Sequence, residues 1–229
     1  MTFKLVTYNQ YHKPAHSEKI AALGADIYLL QEVKAPIASQ IAKSLKADLF
    51  YHEHMLWAGG SAIISKFPII GRAHEPLVER LGISGNLRIY MEAIIQITKK
   101  DDIAVGLVHM PTPFAGPRKR RQQLEQLIRF IKNHKRRFVL AGDFNAKPES
   151  RYIRQLLEKS QVVHTGPDLS IPTWTYGSWE RKRRSGAPGS RWRRRIDFVF
   201  ATPDLKVAMA EVQTNFPSDH SPILVKFKI

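Results

Sequence analysis

The stretch IAVGLVH at 103–109, then RKRRQQLEQLIRFIK at 118–132 and FVLA at 138–141, reads as strand, helix, strand. The outer pieces are short apolar runs, and the middle one repeats its apolar residues at helical spacing. A strand–helix–strand unit closes with its two strands parallel and on one sheet. The first strand therefore delivers His109 to the same sheet edge at which the second runs into GDFN, 142–145, setting His109 beside Asp143 and Asn145.

Outward from there the same pattern recurs. Residues 3–8 and 26–31 read as parallel strands around a helix at 17–23, so Asn9 and Glu32 emerge at one end. Further strands are expected at 61–65, 88–97, 196–201, 205–212 and 223–229, and further helices at 37–45 and 149–159. Ser17 has the make-up of an N-cap, and Pro14 and Pro36 stand where helices begin. The last three strands are expected to form an up-down-up meander. Asp197 then opens the first of them, and Asp219 and His220 precede the third on the same edge. The chain is read as one α/β domain over 1–229, since no internal repeat or linker divides it.

Composition narrows the chemistry. Forty-three per cent hydrophobic and 24% charged residues suit a folded chain and argue against disorder. No run approaches the roughly 18 apolar residues of a membrane span, and Met1–Asn9 reads as a strand rather than a secretory leader. Without cysteine, thiolate metal sites and disulfides are excluded. An intracellular, cytoplasmic location and a monomer are the default expectations. The formal net charge is +16, which favours polyanions, either nucleic acid or an anionic membrane surface. Nine of the 36 Lys and Arg lie in 118–137 and eight in 181–195. Clustering of that kind suggests a binding face, and no amphipathic insertion loop is evident for a membrane.

The polar residues delivered to sheet edges have a chemistry in common. Phosphodiester hydrolysis needs a cation against the phosphoryl charge, a group that activates water, and fixed donors for the transition-state oxygens. Mg²⁺ prefers carboxylate and carbonyl oxygen and keeps several waters, so Glu32 and Asp219 suffice, with Asn9 supplying an amide oxygen or positioning a ligand. A histidine beside a carboxylate is held in one orientation with its cationic form favoured, which suits it to a phosphate oxygen.

Seven motifs stand in one order along the chain: TYN (7–9), LQEV (30–33), GGSAIISKFPI (59–69), LVHM (107–110), GDFN (142–145), RIDFVF (195–200) and SDHSPI (218–223). On these motifs the sequence resembles the endonuclease/exonuclease/phosphatase superfamily. The resemblance implies a four-layer α/β sandwich, two mixed sheets packed face to face between helical layers. It implies Glu32 as the principal Mg²⁺ (or Mn²⁺) ligand, with Asn9 lining the metal site and Asp219 as a second metal-side carboxylate. Asp143 would activate water, Asn145 and His109 would face the phosphate, and His220, oriented by Asp197, would be the phosphate-contacting acid/base. Tyr8, Tyr11 and His109 stand where the abasic-site repair enzymes of this superfamily usually carry Trp, Asp and Tyr, three departures that count against that role.

Nucleic acid, DNA ahead of RNA, is the expected substrate and partner. Arg118, Lys119, Arg120 and Arg121 open a helix, where the macrodipole disfavours cations, so an anionic partner gives them a reason. Arg181, Lys182, Arg183, Arg184, Arg191, Trp192 and Arg193 form the second candidate face, with Trp179 and Trp192 as bases' stacking partners. Trp174 is expected at the core edge, and His12, His16, His52, His54, His74, His134 and His164 as surface or structural residues. Two rival classes remain: a phospholipid or inositol-phosphate phosphodiesterase, and a non-catalytic nucleic-acid-binding module.

Overall fold

Strands that are apolar on both faces require a core on each side, and the molecule supplies three, one between two sheets and one outside each. The computed structural model describes residues 1–11, 17–55, 59–77, 89–132, 134–175 and 193–229. The first sheet contains β1 (Thr2–Asn9), β2 (Ile27–Val33), β3 (Asp48–Met55), β4 (Gly59–Ser65), β13 (Lys206–Val212) and β14 (Ile223–Lys228), in the order β13-β14-β1-β2-β4-β3. The second contains β5 (Ile69–Pro76), β6 (Ile89–Gln96), β7 (Asp102–His109), β8 (Phe138–Asp143), β9 (Val163–His164) and β12 (Asp197–Ala201), in the order β5-β6-β7-β8-β12-β9. A two-stranded ribbon, β10 (Trp174–Thr175) with β11 (Arg193–Arg194), stands apart from both. The expected parallel pairs are present, β1 with β2 and β7 with β8, and the other ladders are antiparallel.

The period-two alternation of a strand sorts side chains into layers. Leu5, Leu29, Ile63, Leu107, Val139, Ala141 and Val199 point between the sheets and form the central core. Their neighbours Val6, Tyr28, Leu30 and Ile64 point outward, under α1 (Ser17–Ala21) and α2 (Ala35–Leu45). On the far side Val108, Leu140, Phe198 and Phe200 lie under α3 (Pro117–Lys132) and α4 (Arg151–Lys159). The result is helix, sheet, sheet, helix, as the resemblance implies. Ser17 opens α1 as its first helical residue, and Pro36 occupies the first turn of α2. Pro14 lies outside the described residues.

One expectation is overturned. β12, β13 and β14 are not a meander: β13 and β14 pair in the first sheet, whereas β12 pairs with β8 and β9 in the second. β12 is buried on both faces, so it needs an interior place in a sheet, while the largely exposed β13 serves as an edge. Burial outweighed the tendency of consecutive strands to be neighbours. The chain crosses between sheets at 202–205, and this brings the start of β12 and the loop before β14 to the same end of the sandwich. Among the described residues no helix is long and apolar enough to cross a membrane.

Candidate active site

Both parallel pairs end at one mouth of the sandwich, and the register fixes who meets whom. Asp143, the last residue of β8, is the ladder partner of His109 on one side and of Asp197 on the other. The glycine of GDFN is required there. Gly142 has φ +144°, and a Cβ would stand 1.9 Å from the Val108 carbonyl oxygen. Glu32 sits where the β2–β4 register breaks between Gln31 and Val33, with φ +52°. Asn145 follows at φ +47°, and Tyr11 at φ +52°. For non-glycine residues such conformations cost on the order of 1–3 kcal/mol each, and here they cluster at one site.

Hydrogen bonds then weave the segments together. The Asn9 amide nitrogen donates to Glu32 Oε1 at 3.3 Å and to Asp143 Oδ2 at 3.2 Å. The Asn9 amide oxygen accepts from the Tyr11 N–H at 3.0 Å. Asp143 Oδ1 accepts the Asn145 backbone N–H at 2.8 Å, and Oδ2 accepts the Asn145 amide at 3.1 Å. Buried His109 places Nε2 3.7 Å from Glu32 and 3.6 Å from Asp143. Asp197 holds His220 Nδ1 at 2.9 and 3.1 Å, leaving Nε2 3.9 Å from Asp143 and 4.0 Å from Asp219. The 218–221 loop is pinned from both sides: Ser218 Oγ donates to the Asn9 carbonyl, and Ser221 N–H donates to the Thr173 carbonyl. The Trp174 indole N–H donates to Asp219 Oδ2 at 2.9 Å.

Charge is crowded here. Burial raises Asp143 well above the usual carboxylate range, and neighbouring Asp197 pushes the same way, against His220 and the Asn145 N–H. Burial alone would lower His220, but Asp197 overrides it with help from Asp143 and Asp219, and holds the imidazole at about 10. The site opens into a cleft of about 310 Å³ lined by Glu32, His109, Asp143, Asn145, Asp219 and His220, with Tyr11, Phe114, Trp174 and Arg194 around them.

Residues 6–220 match the sequence profile of the Endonuclease/Exonuclease/phosphatase family. The chain belongs to that family. Of the family's solved structures, a member from Bacteroides vulgatus superposes with a TM-score of 0.81 at 19% identity, covering 100% of this chain and 99% of that one. The mannosyl-6-phosphatase of Bacteroides thetaiotaomicron VPI-5482 gives 0.75 at 16% identity over 99% and 100%. ANGEL2, a 2′,3′-cyclic phosphatase, gives 0.72 at 17% over 99% and 95%. These likenesses show the fold. A curated relative, UPF0294 protein YE0917 of Yersinia enterocolitica serotype O:8 / biotype 1B, is 31% identical over 156 residues. That match covers 67% of this chain and spans about half (53%) of the relative's length.

The residues on which the family resemblance rests are thus in one cluster: Asn9, Glu32, His109, Asp143, Asn145, Asp197, Asp219 and His220. The basic set divides. Arg118, Lys119, Arg121 and Arg193 are exposed. Arg120 is not available to a ligand: it is buried, donates to the Asn145 carbonyl at 2.7 Å and lies 4.4 Å over the Tyr152 ring. Its place was readable in helix phase, since 120, 124, 127, 128 and 131 share one face. Arg181, Lys182, Arg183, Arg184, Arg191 and Trp192 lie outside the described residues, as does Trp179. Sequence reasoning missed Trp174, Arg194 and Phe114 as cleft residues. The pairing of Trp174 with Arg194 across the ribbon that sets two of them there is a tertiary fact.

Proposed function

We propose that the chain is a divalent-metal-dependent phosphodiesterase that hydrolyses nucleic acid, DNA in preference to RNA. The observation that carries the reading is the meeting of a buried, base-like Asp143 with a cationic, Asp197-held His220 in the cleft that Glu32 lines.

The residues fit a hard cation. Glu32, Asp143 and Asp219 bring carboxylate oxygens to one cleft, and the charge of His220 is already matched by Asp197. Asp143, Asp197 and His220 also present donor atoms within 4.8 Å of one another, a metal-like spacing. A protonated His220 has no lone pair to give, so Glu32 and Asp219 are the better holders of Mg²⁺ or Mn²⁺. Asn9, with its oxygen turned to the Tyr11 N–H, acts by its amino group, holding Glu32 and Asp143 apart and in place. When bound, such a cation neutralises the phosphoryl group and stabilises the leaving oxygen.

The chain's own groups do the rest. Asp143 takes the proton of the attacking water, its raised affinity for protons matching that task near neutral pH. His220 Nε2–H donates to a phosphoryl oxygen, and Asp197 keeps it charged and aimed. His109 lines the same wall and gives the phosphate a further donor, while the Asn145 amide, which donates to Asp143 Oδ2 and to the Met110 carbonyl at 2.9 Å, holds Asp143 in place beside it. Exposed Arg118, Lys119 and Arg121 supply the long-range attraction to a polyanion.

The test is a panel: single-stranded DNA, plasmid, RNA, sphingomyelin and a hexose 6-phosphate, each with Mg²⁺ and with EDTA. Mg²⁺-dependent cleavage of the nucleic acids supports the reading. Turnover of the lipid or the sugar phosphate alone would overturn it.

A further inference from the structure

Phe114 is 99% exposed, although burying such a ring is favourable. A lone exposed apolar residue is ordinary, but the position of this one is not. It stands at the centre of the 3₁₀ turn Pro113–Ala115 and lines the same cleft as Asp143 and His220. The turn is stiffened by Pro111, Pro113 and Pro117, so the ring is carried on a pre-set backbone. It leads straight into α3, whose exposed Arg118, Lys119 and Arg121 lie at a helix start with no acid in the first turn. The macrodipole opposes cations there, and among the described residues the one ion pair in reach, Arg121 with Glu125 at 3.8 Å, is solvent-exposed and weak. Residues 114–121 therefore put one free aromatic face at the cleft rim and three cations just beyond it.

We propose that Phe114 is a stacking platform for the nucleobase next to the scissile phosphate, with Arg118, Lys119 and Arg121 gripping the phosphates beyond. An aromatic face beside a cationic track is how single strands are held without sequence readout. A base inside a duplex has both faces covered, so the platform selects a single-stranded or unpaired stretch. An aromatic beside cations also suits a membrane surface, but stable anchoring there needs a broad apolar face, and this ring lines a narrow cleft together with Tyr11, Trp174 and the polar residues of the site. The inference rests on the nuclease reading and narrows its substrate.

The experiment measures affinity for a labelled 12-nucleotide single strand, a blunt duplex, and phosphatidylserine/phosphatidylcholine vesicles. Phe114→Ala should weaken single-strand binding by roughly 5- to 150-fold, the range for losing one base stack, while Phe114→Trp retains it. Duplex affinity and melting temperature should not move, because the ring is almost wholly exposed and a paired base offers it no face. Arg118→Ala with Arg121→Ala should lower the slope of log K against log salt by about 0.7 per contact on the single strand. Unchanged single-strand affinity in Phe114→Ala, or a loss confined to the vesicles, overturns the platform while the nuclease reading stands. A wild-type chain that neither binds nor cleaves any oligonucleotide overturns both.

Discussion

Replacing Asp197 by Asn should move the whole pH profile of the reaction towards acid. The Asp197 carboxylate contacts His220 Nδ1 at 2.9 Å and holds the buried imidazole at about 10. Without that charge, burial pulls His220 down against Asp143 and Asp219 alone, so its pKa falls. A full return to the ordinary 6.5 would cut the cationic fraction at pH 7.5 from nearly all to about a tenth, so protonation alone can lower turnover by up to about tenfold. The sign at Asp143 is the same on the acid limb, where His220 is still charged: Asp197 raises Asp143, so its removal lets the carboxyl titrate lower. Both limbs should therefore move to lower pH, the alkaline limb by the larger amount. The assay is kcat and kcat/KM for oligonucleotide cleavage between pH 5 and 10. Asp197→Asn combined with His220→Ala should be no worse than His220→Ala, because the two act as a unit. An alkaline limb unmoved in Asp197→Asn, or additive losses in the double variant, would refute the pairing.

Three further outcomes follow from the geometry. Arg120→Met removes a charge-assisted bond to the Asn145 carbonyl; it should cost about 1.5–3 kcal/mol and several degrees of melting temperature, whereas Arg118→Met should leave it unchanged. His164 is lowered to about 4 by burial and then by Arg195. Because the unfolded ring protonates near 6.5 and the folded one does not, stability should fall as pH drops from 6.5 to 4. The limit is about 3 kcal/mol, reduced by the partial exposure of the ring, and His164→Leu should flatten this acid limb in melting curves. Glu32→Gln should abolish the rise in melting temperature that Mg²⁺ produces, a rise worth about 2.7 kcal/mol at a hundred times Kd, and leave the metal-free value in place; an undiminished rise would place the metal elsewhere.

The site was legible in the sequence because its residues hang on local units. His109 and Asp143 end the strands of one strand–helix–strand unit, Asn9 and Glu32 those of another, and in each the parallel pairing follows from the connection. What lay beyond reach was tertiary. β12 reads like the first strand of a meander, and only its burial on both faces sends it to the other sheet. Strands β3 and β5 escaped notice because each lies at a sheet edge, where DLFYHEHM and IIGRAHEP carry the charges and kinks that edges tolerate. Trp174, in IPTWTY, reads as a packing residue. Its indole N–H instead finds Asp219, a partner 45 positions away.

The central claim is that Asp143 activates water for attack on a nucleic-acid phosphodiester in a site that needs Glu32. The direct measurement is cleavage of a defined, end-labelled single-stranded oligonucleotide in ¹⁸O-water with Mg²⁺, read by mass and end-group analysis. The account predicts 5′-phosphate and 3′-hydroxyl products with one ¹⁸O in the new phosphate. The rate should fall roughly 10²–10⁴-fold in Asp143→Asn and to background in EDTA. Cleavage undiminished by EDTA or by Asp143→Asn, or products without ¹⁸O in the phosphate, would contradict it.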